Sequence, residues 1–166
     1  HLVSDITYIP TCEGWLYLVV VLDLFSRCIL GWKLAETMES GLITAALRRA
    51  FDTGLVAPQA IFHSDRGSQY SSGPTRRLLK RLGWQQSMSA VGYCYDNAFA
   101  ESLFASIKRE LLPEEDIFQS KSEAHTAIFD YLECFYNRRR LHSALGYQSP
   151  QKFLTSYFQN QQPQLN

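Results

Sequence analysis

Apolar residues crowd the first third of the chain at strand-like spacing. Residues 4 to 9 read as one short strand, 28 to 34 as another, and between them 15 to 22 is an unbroken aliphatic and aromatic stretch. A run of that length without polar interruption predicts a strand covered on both faces. Glu13 and Gly14 supply the turn into it, and Asp23, Leu24, Phe25, Ser26 and Arg27 make a hairpin-length connection out of it. Three antiparallel strands therefore open the fold. The period then changes: Leu42, Ile43, Ala46, Leu47 and Ala50 recur at helical spacing, predicting a helix over 40 to 53 with Gly54 as its stop. A brief fourth strand is predicted at 60 to 63. A basic helix follows over 73 to 82, ended by Gly83, and then a short edge strand over 84 to 87.

The second half is helical. Residues 89 to 95, which include Gly92, show no period and predict a mobile loop; Asp96 or Asn97 can cap the helix that follows, which runs to Leu112 and is stopped by Pro113. On that helix Leu103, Phe104, Ile107 and Leu111 share an apolar face, while Glu101, Ala105, Lys108 and Arg109 lie together on the other. A long helix over 122 to 139 carries Ala124, Ile128, Tyr131, Leu132 and Phe135 inward. A short helix over 151 to 158 and a polar Gln/Asn tail end the chain. No internal repeat or interdomain linker is visible.

This order of elements is that of the ribonuclease H-like fold: an α/β architecture with a mixed five-stranded sheet, three antiparallel strands first, flanked by helices. In that architecture the first strand, the end of the fourth strand and a later helix converge on one edge. The expected organisation is a catalytic core over 1–118 with a C-terminal helical extension, 119–166, packed on it in the same domain.

Composition narrows the class. With 166 residues, 46% hydrophobic and 13% aromatic, the chain can bury a core without staples and is neither disordered nor fibrous. Cys12, Cys28, Cys94 and Cys134 have no metal-site or disulfide-framework spacing, so free thiols in a reducing cytosol are expected. The apolar run at 15 to 22 is too short for a bilayer, and no charged-then-apolar leader precedes it, which predicts a soluble intracellular protein. Net charge is zero, awkward for a nucleic-acid enzyme, but the charge is unevenly spread. Arg76, Arg77, Lys80 and Arg81 cluster, Arg138, Arg139 and Arg140 are consecutive, and Lys108 and Arg109 follow Glu101 on its helix. Each cluster, taken singly, is more simply a solvated helix face. The three consecutive arginines either cap the carbonyl end of their helix or grip DNA.

The candidate chemistry is a carboxylate trio: Asp5 in the first strand, Asp65 just past the fourth, and Glu101 on the amphipathic helix. Hard divalent cations such as magnesium prefer a few carboxylates, with substrate phosphate and water completing the shell. Singly, each acid has a plain reading: a turn for Asp65, a solvated helix position for Glu101, an arginine partner for Asp5. Asp23 is a rival first ligand, but its place at a strand end suits turn stabilisation. His63 orients a carboxylate or water or packs at a strand end, and Trp15, Trp32 and Trp84 are most simply core or partly buried anchors.

Ordered stretches through the chain resemble the retroviral-integrase-like catalytic core of insertion-sequence DDE transposases. They are Asp5 through Ile9, Leu22 through Arg27, His63 through Tyr70, Ser87 through Ser89, Tyr95 through Ala98 with Glu101 and Ser102, and Tyr136 through Ser143. A lone Asp-x-Gly would mean nothing, but the set in this order is specific. The resemblance implies that Asp5, Asp65 and Glu101 are the catalytic metal ligands for two magnesium or manganese ions, with Lys108 a DNA contact and Arg109 and the three arginines further candidates. It implies cleavage at transposon ends and strand transfer by a DNA transposase acting as an oligomer on transposon ends and target DNA in the bacterial cytoplasm, nucleoid-associated when bound. Tyr93 departs from the small polar residue that relatives often carry. The family's helix-turn-helix recognition region is missing from this stretch. The competing functions are a ribonuclease H-like or structure-specific nuclease, which stops at hydrolysis, and a catalytically inert DNA-binding module.

Overall fold

A computed structural model of the chain describes residues 1–88 and 98–161, with only the backbone at 40 and 98–101. Strands β1 (Leu2–Thr11), β2 (Gly14–Asp23) and β3 (Ile29–Ala35) come first, then helix α1 (Ser40–Asp52) and strand β4 (Ile61–Ser64). Helices α2 (Ser68–Ser71) and α3 (Gly73–Leu82), strand β5 (Gln85–Met88) and helix α4 (Ala98–Leu111) follow. Helix α5 (Lys121–Phe129) runs into a π-helical segment, Asp130–Tyr136, and helix α6 (Pro150–Gln161) lies last.

The strands form one sheet in the order β3-β2-β1-β4-β5, with β1–β2 and β2–β3 antiparallel and β1–β4 and β4–β5 parallel. Because side chains alternate along a strand, each face has its own core. Leu2, Val19, Val21 and Phe62 pack under α1 and α3, whereas Val3, Ile9, Leu16, Leu18 and Val20 pack under α4, α5 and the π segment. The apolar run in β2 is thus buried from both sides, as its composition predicts. Gly31 makes the first layer possible, since a β-carbon there would collide with the carbonyl oxygen of Ala46 on α1.

Several expectations need correction. Trp32 and Trp84 are buried, but Trp15 is 57% exposed: it sits opposite Pro10 beside the turn of the β1–β2 hairpin, edge-on to the exposed Tyr8 at 6.1 Å. The helix expected over 122 to 139 changes winding at Asp130. With the wider π turn, Tyr136 enters the core and Phe135, expected inside, is 40% exposed. Helix α6 is longer than predicted, and α2 was not expected. The loop over 89 to 95 with Tyr93 and Cys94, the caps Asp96 and Asn97, and the tail at 162–166 lie outside the described residues. Among the described residues no helix is long and apolar enough to cross a membrane.

Candidate active site

The parallel ladder between β1 and β4 runs Leu2↔Phe62, Val3↔His63, Ser4↔Ser64. Asp5 on β1 and Asp65, the first residue past β4, come next, so the register brings them side by side where the ladder ends. Alternation then fixes the face. Leu2 and Phe62 belong to the α1 core, so Val3 and His63, and with them Asp5, belong to the side on which α4 packs. His63 lies below Asp65 with its Nδ1 3.0 Å from Ser87 Oγ on β5. The end of a β-strand in a helix-flanked sheet is a position where ligand-binding groups collect.

Asp5 is half-buried, and its Oδ1 accepts the Ile6 N–H at 2.8 Å. Asp65 is exposed, and its Oδ1 accepts the Gly67 N–H at 2.9 Å. Gly67 earns its place sterically: a β-carbon there would stand 3.0 Å from Asp65 Oδ1, 3.5 Å from Oδ2 and 3.2 Å from Gln69 Oε1. The Asp-x-Gly spacing is thus a cradle in which the carboxylate lies against bare backbone. Beneath it Tyr70, 1% exposed, anchors the turn, its hydroxyl 2.8 Å from Ser4 Oγ, while Gln86 Nε2 donates to the Tyr70 carbonyl at 2.9 Å. Burial pushes the Tyr70 phenol well above its ordinary range, and the charges of Asp5 and Asp65 both push the same way. The phenol therefore stays neutral beneath two carboxylates. Neither Ser4 nor Tyr70 was singled out for a role by the sequence, although both adjoin the acids.

Asp23, the rival ligand, is fully used in its turn. Its Oδ2 accepts from Ser26 Oγ at 2.6 Å and Ser26 N at 3.0 Å, and it pairs with Val3's neighbour Leu2 rather than with the Asp5 level of the sheet. Glu101 lies in the first turn of α4, whose Leu103, Phe104 and Ile107 pack into the core that holds Val3. That packing brings the N-terminal half of α4 over β1; the Glu101 side chain is outside the described residues. Lys108 is half-buried, and Arg109, Arg138 and Arg139 are exposed.

Arg140 stands apart. Its Nε and Nη2 donate to the Glu110 carboxylate at 2.7 to 3.1 Å, Tyr131 Oη donates to the same carboxylate at 2.8 Å, and the guanidinium lies 5.6 Å from the Tyr136 ring. The hydrogen bonds from Arg140 hold the Glu110 carboxyl below its usual range, with Tyr131 adding to the effect. No sequence signal marked Glu110, because its partner is thirty residues away.

Among the described residues no cluster of three metal-ligating side chains is found; the two sheet carboxylates are adjacent and the third position is on α4. Hard oxygen donors held by backbone N–H groups, with a glycine cradle beneath one of them, fit a divalent cation.

Similarity to known proteins agrees with this geometry. An integrase core domain family matches residues 1–94, and a second integrase core domain family matches 82–150. The chain is 43% identical over 150 residues to the transposase for insertion sequence element IS904 of Lactococcus lactis, covering 90% of this chain and 59% of that protein. It is 46% identical to transposase InsF for insertion sequence IS3A of Escherichia coli, covering 90% and 52%. The chain thus spans little more than half the length of these relatives. In fold it is similar to the catalytic core domain of BIV integrase, with a TM-score of 0.65 at 14% identity over 96% of this chain and 98% of that one. A similar match, TM-score 0.57 at 15% identity over 92% of each chain, is to the HTLV-2 integrase catalytic core domain in complex with magnesium. The architecture is ribonuclease H-like, and the chain belongs to the integrase core domain family.

Proposed function

We propose that this chain is the catalytic domain of a DNA transposase that cleaves phosphodiester bonds at transposon ends and transfers the resulting strands into DNA. The observation that carries the reading is the register that sets Asp5, on the face covered by α4, beside Asp65 at the end of β4. Asp5, Asp65 and Glu101 would hold two magnesium or manganese ions; the magnesium bound to the HTLV-2 core supports the choice of cation. When bound, such ions activate the attacking oxygen and stabilise the leaving one.

The chain's own contribution is placement. The Ile6 and Gly67 N–H groups each bind one oxygen of a carboxylate and so fix how Asp5 and Asp65 are turned. Lys108 lies two helical turns from Glu101 on a common face and supplies a cation for a DNA phosphate; Arg109, Arg138 and Arg139 extend the basic surface. Water serves as nucleophile in cleavage and the freed 3′-hydroxyl in joining, so no covalent protein intermediate is required. The core over 1–118 and the extension over 119–166 act as one unit, in an assembly of more than one copy because two DNA ends must meet. The protein works in the bacterial cytoplasm, on the nucleoid.

The test uses the complete transposase with a pre-cut and an uncut transposon end in manganese. Asp5→Asn, Asp65→Asn and Glu101→Gln should each abolish cleavage and joining together while folding is retained, and Asp23→Asn should keep both. Loss with Asp23→Asn and survival with Asp5→Asn would refute the assignment of the first ligand. Hydrolysis by the parent protein with no joined product would make it a nuclease.

A further inference from the structure

We infer that Glu110 and Arg140 form a clamp that sets the roll of α4 and thereby positions Glu101, making the C-terminal extension part of the catalytic device. This rests on the reading of Asp5, Asp65 and Glu101 as metal ligands. Glu110 lies near the end of α4, nine residues after Glu101, which at 3.6 residues per turn puts it on the opposite side of the helix. The apolar residues Leu103, Phe104 and Ile107 lie between the two, on the face turned to the sheet. A grip on Glu110 therefore acts at one margin of the packed face, and Glu101 stands at the other.

Apolar packing alone resists separation of a helix from a sheet more than it resists a small rotation about the helix axis, because dispersion contacts are not directional. Directional bonds fix the rotation. Glu110 receives both prongs of the Arg140 guanidinium and the Tyr131 hydroxyl, and Tyr131 is itself buried in the core at 7% exposure. Arg140 is held in turn against Tyr136, 3% exposed, at the end of the π segment. Both anchors come from the part of the chain after residue 119, whose Ala124, Ile128 and Leu132 are rooted in the same core as β1 and β2. The π winding supports this arrangement by turning Tyr136 inward beside Tyr131, with ring centroids 6.1 Å apart. A roll of about 10° would move a group about 6 Å from the helix axis by about 1 Å. Misplacement by that amount costs an active site roughly 100-fold.

Arg140 is thus a positioning residue, and its loss should spare DNA affinity. The complete transposase is compared with Arg140→Ala, Arg140→Lys, Glu110→Gln and the exchanged pair Glu110→Arg/Arg140→Glu. Manganese binding is followed by calorimetry without DNA, and DNA affinity as a function of salt by fluorescence anisotropy. The expected result is at least about a 10-fold weakening of manganese binding and a fall in turnover for Arg140→Ala and Glu110→Gln. Arg140→Lys should be intermediate, the exchanged pair should recover most of the loss, and DNA affinity and salt slope should not change.

A salt slope lowered by about one phosphate contact, roughly 0.9, with manganese binding intact would make Arg140 a DNA contact and overturn the inference. Single variants that bind manganese like the parent would overturn it too. Where a single variant fails to melt cooperatively, the exchanged pair decides: normal manganese binding supports the clamp, and weakened binding in a folded protein refutes it. Asp65→Asn separates the two levels. If that change leaves manganese binding untouched, the reading of the site itself has failed; if it removes binding while the clamp variants do not, the clamp alone has failed.

Discussion

The two halves of the site are held in different ways. Asp5 and Asp65 stand on neighbouring strands and inherit their positions from the main-chain ladder, in which each preceding pair, down to Ser4↔Ser64, is fixed by backbone hydrogen bonds. The helix that carries Glu101 has no such ladder to the sheet. Its place is fixed by Leu103, Phe104 and Ile107 below and by the Glu110–Arg140 pair at its flank. A position set by backbone bonding tolerates most side-chain changes around it, whereas one set by side chains can be shifted by a single substitution.

The contrast can be broken from the sheet side by attacking the one place where it depends on a missing side chain. Gly67→Ala should push the Asp65 carboxylate out of its cradle and lower turnover by about 10- to 100-fold, with little change in melting temperature because Gly67 lies at the surface end of the turn. Steady-state kinetics beside thermal melting checks this; unchanged turnover would show that the carboxylate has room to move.

A smaller effect is expected beneath the acids. Tyr70→Phe removes the hydrogen bond to Ser4 Oγ, a residue 0% exposed, and should cost about 1 kcal/mol of stability by denaturant titration, while the apolar contact with Phe62 persists. Turnover should fall far less than with Gly67→Ala, since the backbone ladder still sets the strands. A loss as large as that of Gly67→Ala would place Tyr70 in the chemistry.

The helix side offers the smallest effect, readable through pH. His142 sits against Tyr136 with its Nε2 buried and without a hydrogen-bond partner among the described residues. Burial, with Arg140 and Arg27 adding repulsion, lowers its pKa to about 4 from an ordinary 6.5. A group with a depressed folded-state pKa binds its proton more readily when unfolded. Its contribution to stability is therefore complete above pH 6.5 and is lost as pH falls from 6.5 towards 4. Melting temperature should drop over that window in the parent and drop less in His142→Gln. The contribution of Glu110, whose pKa is also depressed, is lost only as pH falls further, through its lowered value. Equal acid sensitivity in parent and His142→Gln would remove His142 from the account.

Much of this was legible in the chain. The unbroken run before Asp23, the helical period around Leu47, the Gly83 stop and the apolar face of α4 are local patterns, and each reports its own element. Trp15 and Phe135 are more exposed than their types suggest because burial depends on what another element covers: Trp15 lies beside the β1–β2 turn, and Phe135 was turned outward by a change of winding.

By itself the sequence determined the order of strands and helices, the two acids at strand positions and the third on an amphipathic helix, because periodicity and turn residues act over a few neighbours. Only the tertiary structure decided that Asp5 and Asp65 lie side by side, that Gly67 leaves room for a carboxylate, and that Arg140 holds Glu110. Those facts depend on register and on side chains that meet from segments dozens of residues apart, and such meetings leave no local pattern in a single chain.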